Sequence, residues 1–261
     1  MKTLLNRLYA DYLMPSRLAE YEAMLVRAAQ CGYRQLSVRE FHGAILRQAC
    51  TLDKVLVHRH DIDSDLRTAR KMFALETRHG VHASYYFRLS TLDYGFMRAI
   101  EAAGSEASYH YEEVATFAKR HRLRRGDDVR ARFPEIRELF VRNFMRIGER
   151  LGRPMTTVAS HGDFANRRLQ VINHELLSDP ALRRRCGIEC ESYDADLLRH
   201  FDVYISDRPH PMYYAPVSPF DALGRHDRIC LLTHPVQWET NWLESTRCNM
   251  VRLAEEVVWH T

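Results

Sequence analysis

The stretch that decides the fold is KVLVHRHDID, residues 54–63. Its first seven residues, Lys54–His60, are rich in β-branched and apolar types and read as a strand. The strand ends in His60-Asp61-Ile62-Asp63, and residues two apart in an extended chain point the same way, so Asp61 and Asp63 converge. Downstream, Leu66–His79 reads as a helix, Ala83–Leu89 (ASYYFRL) as a strand, and Tyr94–Ala103 as a helix stopped by Gly104. Glu106–Tyr109 is extended, and a helix falls near Glu113–Arg122. A long helix over Asp128–Leu151 precedes strands at Thr156–Ser160, Val203–Ser206 and Ile229–Thr233, and Trp242–Trp259 supplies the last helix. Strands alternating with such helices predict βαβ units and a parallel sheet. The expected architecture is α/β, one domain over residues 1–261, closing into a distorted or incomplete (β/α) barrel. A barrel of this kind carries its site at the carboxyl ends of its strands.

Upstream, residues 1–53 read as a helical extension packed on that barrel. Ser16 is placed to cap a run in which Leu18, Tyr21, Met24, Leu25 and Ala28 share a face, and Gly32 ends it. Arg34–Val38 is a short strand or link, and Ser37-Val38-Arg39-Glu40 matches a capping box ahead of Phe41.

Composition narrows the function. Hydrophobic residues make 46% and charged residues 28% of the 261, an ordinary globular balance rather than a disordered one. Basic residues (38) barely exceed acidic ones (34), which argues against nucleic-acid binding. The longest charge-free stretch, Pro209–Phe220, is proline-rich and too short to span a bilayer. Charges at Lys2, Arg7, Asp11 and Arg17 leave no apolar block for a secretory leader, so the chain reads as cytoplasmic. Six cysteines, at 31, 50, 186, 190, 230 and 248, form neither a disulfide framework nor a paired zinc module. Even Cys186 and Cys190, the closest two, read as small buried hydrophobes.

Chemistry concentrates at strand ends. After Asp61 and Asp63 come His110 in SYHYEE (108–113), His161 in SHGD (160–163), and His234 before Pro235 in LLTHP (231–235). Pro235 cannot continue a central strand, which puts His234 at the barrel mouth. Each signal has an ordinary explanation: Asp63 or Ser64 caps the helix that follows, and single histidines satisfy core polar groups. Together they offer a divalent-metal site in which one carboxylate binds the ion and the other takes a proton from water.

These residues, in this order from Val55 to Trp238, resemble the polysaccharide deacetylase superfamily (NodB-like, carbohydrate esterase family 4). His60-Asp61-Ile62-Asp63 is similar to its first motif, Gly104-Ser105-Glu106 leading into Tyr109-His110-Tyr111-Glu112 to its second, and Leu231–Pro235 to its last. Gly80–Phe87 is similar to the family's second strand. The adjacent Asp pair of the family is here split by Ile62, as in a divergent branch, and the second histidine falls on Val114, which cannot bind metal. The family's third-motif arginine has no clean counterpart, although Arg167 and Arg168 follow shortly after. The resemblance implies a barrel of the NodB type and one divalent ion, zinc foremost, held by Asp63, His110 and a third ligand, His161 or alternatively Glu112. It further implies Asp61 as catalytic base and His234 as general acid in releasing an acyl group, an N-acetyl foremost, from a sugar or glycan precursor.

Trp238, Tyr86 and Arg88 are the residues expected to contact the sugar, with Tyr85, Tyr109 and Tyr111 as further aromatics near the mouth; packing in the core is the plainer role for each aromatic. The arginine runs at 120–125 and 183–185 are either solvated helix faces or anion sites. Two other functions fit the same residues: hydrolysis of another small amide or ester, and an inactive deacetylase-like domain that binds a glycan or a partner. Oligomeric state is left open.

Overall fold

A computed structural model describes residues 2–47 and 53–260; Cys50 and the end of the N-terminal extension lie outside them. Among the described residues nine strands form one sheet: β1 (Arg34–Leu36), β2 (Val55–Ile62), β3 (Ser84–Phe87), β4 (Glu106–Tyr111), β5 (Thr157–Ser160), β6 (Cys190–Glu191), β7 (Val203–Asp207), β8 (Tyr214–Ala215) and β9 (Arg228–Thr233). Their spatial order is β6-β5-β4-β3-β2-β9-β7-β8, with β1 also on β2. Every pairing is parallel except β7 with β8. The sheet curls into a half-barrel and helices fill the crossovers, so the chain is an α/β protein of distorted-barrel form.

β2 is the hub. Its residues 55–57 pair with β1 and residues 59–62 with β3, while β9 runs along its other edge. All eight residues are buried, as expected for a strand covered on both faces. Val55 and Val57 pack inside the curl with Tyr86 and Ala159, and Arg59 and Asp61 continue that face toward the mouth. Leu56, His60 and Ile62 face the helices. There the carboxylate of Glu76, on the helix Leu66–His79, takes hydrogen bonds from the hydroxyls of Tyr21 and Tyr85 and lies 2.6 Å from His60 Nε2.

Among the described residues no strand pairing joins β6 to β7, yet side chains bridge that gap. Tyr193, just beyond β6, and Tyr204, in β7, bring their rings to 6.5 Å. The Arg59 guanidinium sits 4.2 Å from the Tyr193 ring and donates to the Tyr204 hydroxyl at 3.3 Å.

The short strand or link read at Arg34–Val38 is β1 (Arg34–Leu36), and it joins the sheet beside β2. Several local expectations need correction. Ser16 does not cap the helix Leu18–Gln30; Arg17 holds the cap position and Ser16 only accepts a long 3.4 Å bond from Leu18 N. The helix expected over 128–151 is two, Gly126–Ala131 and Phe133–Leu151, divided at Arg132 because Pro134 starts a helix rather than continuing one. The capping box at Ser37 and Glu40 forms as read. Asp65, not Asp63 or Ser64, caps Leu66–His79, its side chain accepting from Thr68 N. Asp63 is thereby free for another role.

Candidate metal centre

The strand ends deliver the expected side chains to one pocket of about 320 Å³, lined by Asp61, Asp63, His110, His161 and His234 among others. Alternation in β2 sends Asp61 and Asp63 to the same side, and β4 and β5 contribute His110 and the residue after Ser160. His161 N donates to Tyr111 O at 2.8 Å, prolonging the β4–β5 ladder by one rung and fixing the histidine at the rim.

Three atoms meet there. Asp63 Oδ1 lies 3.3 Å from His110 Nε2 and 2.9 Å from His161 Nδ1, and the two imidazole nitrogens are 3.3 Å apart. Ligands of a tetrahedral ion bound at ~2.0–2.1 Å are about 3.3 Å from one another. Asp63 Oδ1 is buried and makes no hydrogen bond of good geometry among the described residues. His110 Nδ1 lies 3.0 Å from the Ala159 carbonyl and donates to it, which leaves Nε2 with its lone pair toward the other two. Burial resists charge on Asp63, but the imidazoles of His161 and His110 hold its carboxyl well below the usual range. These residues fit a divalent cation.

Among the described residues two further groups have the composition of a cation site, and both are already satisfied. Glu112 is paired with Arg88 Nη2 at 2.5 Å, and Asp163 accepts from Lys119 Nζ and Ala165 N, each at 2.8 Å. Glu112, the alternative third ligand, is therefore engaged elsewhere. In the group His174, Glu191 and Asp194, Arg183 grips Asp194 with two bonds of 2.6 Å, and Glu191 accepts backbone N–H groups of Ser160 and Tyr193.

Beside the three converging atoms, Asp61 is held by Arg59 in a bidentate pair, Nε to Oδ1 at 2.9 Å and Nη2 to Oδ2 at 2.8 Å. Burial works against the carboxylate, yet Arg59 and His110 keep its pKa below the ordinary value. An arginine two residues earlier on the same strand thus supports this aspartate. Arg167 and Arg168, which follow the SHGD segment where the resembled family's third-motif arginine has no clean counterpart, lie elsewhere: Arg167 lines a groove beside Asp63, and Arg168 packs over the Phe164 ring.

His234 is anchored by Asp207, which lies in β7: Nδ1 is 2.7 Å from Oδ1, and His234 N donates to Oδ2 at 2.6 Å. Burial opposes the imidazolium, but Asp207 outweighs it, helped by Asp63 and Asp61, and pushes His234 up to about 9. Asp207, Arg59, Tyr193 and Tyr204 are site residues the sequence reading did not single out. For Arg59 a signal existed: it shares the alternation that aligns Asp61 and Asp63.

The expected sugar contacts need correction. Tyr86 and Trp238 are fully buried, and so are Tyr85, Tyr109 and Tyr111. Tyr86 OH bonds Thr157 Oγ1 at 2.7 Å deep inside the curl. Trp238 packs on Tyr21 and donates from Nε1 to Asp207 Oδ2 at 3.1 Å, so it holds the partner of His234 and presents no face to a ligand. Arg88 does reach the groove beside Asp63, paired with Glu112. Cys190 and Cys230 are buried, and burial pushes both thiols up, Cys230 to about 12.

Compared with known proteins, the chain matches no protein-family model and no curated protein. No helix among the described residues is long and apolar enough to cross a membrane.

Proposed function

We propose that the protein is a metal-dependent hydrolase that removes an acyl group, an N-acetyl first of all, from a sugar or glycan precursor. The observation that carries the reading is the meeting of Asp63 Oδ1, His110 Nε2 and His161 Nδ1 at 2.9–3.3 Å in a pocket that also holds Asp61 and His234. The resemblance of the same residues to the NodB-like deacetylases supports it, with zinc as the ion that a set of two histidines and one carboxylate suits.

Asp63, His110 and His161 would hold the ion. When bound, a divalent cation supplies Lewis acidity, lowering the pKa of water and polarising a carbonyl. Asp61, kept ionised by Arg59, accepts the proton of the attacking water. Its bidentate pairing fixes the carboxylate so that it enters the reaction already oriented. His234, kept protonated by Asp207, delivers a proton to the departing nitrogen, which is a poor leaving group as an amide anion. Asp207 and Trp238 fix its ring for that transfer. A carboxylate of low pKa and an imidazolium of high pKa in one pocket is the division between base and acid that the reaction needs.

The test is acyl release from a panel of N-acetylated sugars, other amides and esters by zinc-loaded protein, with and without chelator. Chelator-sensitive acetate release from the sugars is expected. Failure of the loaded protein to release acid from any panel member would overturn the reading.

A further inference from the structure

Around the central pocket the cleft continues in two directions. A groove of about 550 Å³ shares Asp63, His161 and Gly162 with it, and a cavity of about 830 Å³ shares Arg208. Groove and cavity in turn share Val236 and Arg252, so the three hollows adjoin one another around the strand ends. Sites of ~300–1,000 Å³ hold drug-sized ligands, so this cleft has room well beyond a single sugar ring.

Its charges are unbalanced. Of the acids lining it, Asp11 is paired with Arg7, Asp163 and Glu255 with Lys119, and Asp61 with Arg59; Asp63 is the proposed ligand. Among the arginines, Arg7, Arg88 and Arg247 have carboxylate partners in Asp11, Glu112 and Glu244. Arg167, Arg208 and Arg252 have none among the described residues. Three exposed guanidinium groups without an ion-pair partner among the described residues are therefore spread over these adjoining hollows: Arg208 lines the central pocket and the cavity, Arg252 the cavity and the groove, and Arg167 the groove. Arginine matches phosphate oxygens two at a time, and a concave surface focuses the field of such charges.

We infer that Arg208 and Arg252, with Arg167, bind a phosphate or pyrophosphate group carried by the substrate, so that the acylated sugar arrives as a glycosyl phosphate conjugate rather than as a neutral glycan. The assignment of the ligand as a substrate rests on the hydrolase reading; the phosphate site itself does not. Nucleoside diphosphate sugars and lipid pyrophosphate sugars share the chemistry that these arginines recognise.

Calorimetric titration of the full chain with uridine diphosphate and with inorganic pyrophosphate tests the site directly. Both should bind. Arg208→Gln and Arg252→Gln should each weaken binding about tenfold and together about a hundredfold, since charge-assisted hydrogen bonds are lost. Absence of binding, or equal binding by the double variant, overturns the inference. Tighter binding of uridine diphosphate assigns a nucleotide carrier; equal binding of the two assigns a lipid pyrophosphate. In parallel, acyl release is compared for N-acetylglucosamine and its 1-phosphate. Equal rates, unchanged in the double variant, would defeat the phosphate inference and leave the hydrolase reading intact. Arginine-dependent binding without acyl release would do the reverse.

Discussion

One strand carries two buried polar clusters, on opposite faces, and they could hardly differ more. Under the helices, His60 is closed off: Nδ1 meets Thr233 Oγ1 at 2.5 Å, Nε2 meets Glu76, and Glu76 accepts from Tyr21 and Tyr85 as well. Just past the end of the same strand, at the mouth, Asp63 Oδ1 is buried and makes no hydrogen bond of good geometry among the described residues, although two imidazoles stand within 3.3 Å. A buried polar group costs free energy unless it is partnered, so a satisfied cluster reads as structure and an unsatisfied one as a place for something else. The difference teaches that composition does not separate the two: each holds histidine and carboxylate, and only the direction of the lone pairs tells them apart.

That contrast can be attacked at its strongest point first. Asp63→Asn should abolish stoichiometric zinc binding, measured by elemental analysis of dialysed protein, and lower turnover by about a thousandfold or more, since several kcal/mol of transition-state stabilisation depend on the ion. Asp61→Asn should lower turnover by about 10²–10⁴-fold while the zinc content stays near that of the unaltered chain. On the other face, Glu76→Ala should leave zinc affinity in place and cost about 3–5 kcal/mol of stability in denaturant titration, because it strands His60 in the core. Loss of zinc binding in that variant would erase the distinction between the clusters.

A subtler test uses pH. His234 acts in its protonated form, which is present below its pKa and lost as pH rises through it. With Asp207 beside it that value is about 9. Asp207→Asn removes the main cause, so the alkaline limb of kcat/KM should move toward the ordinary histidine value of ~6.5, cutting the rate at pH 8 by about tenfold while the acid limb stays put. The smallest effect is expected from Tyr86→Phe: about 1 kcal/mol of stability from the lost bond to Thr157, and no change in KM for any sugar.

Much of the frame was legible because its signals are local. The alternation in KVLVHRHDID places Asp61 and Asp63 on one side, and the helix Leu66–His79 falls where the apolar spacing puts it. His110, His161 and His234 could be found because each sits at the end of a recognisable strand. What escaped depends on distance or on extreme shortness. Asp207 meets His234 from 27 residues away, with no spacing rule to announce it. β6 and β8 have two residues each, too few to show any period. Tyr86 and Trp238 look like sugar platforms until packing places one inside the curl and the other beneath the N-terminal helix. The division at Arg132 was announced by Pro134, but the helical spacing on either side masks it.

The most direct measurement is anomalous diffraction from crystals grown with zinc. The account predicts one strong peak ~2.0–2.2 Å from Asp63 Oδ1, His110 Nε2 and His161 Nδ1. No peak at that point with zinc in excess, or a peak at His174 and Glu191 instead, would contradict it.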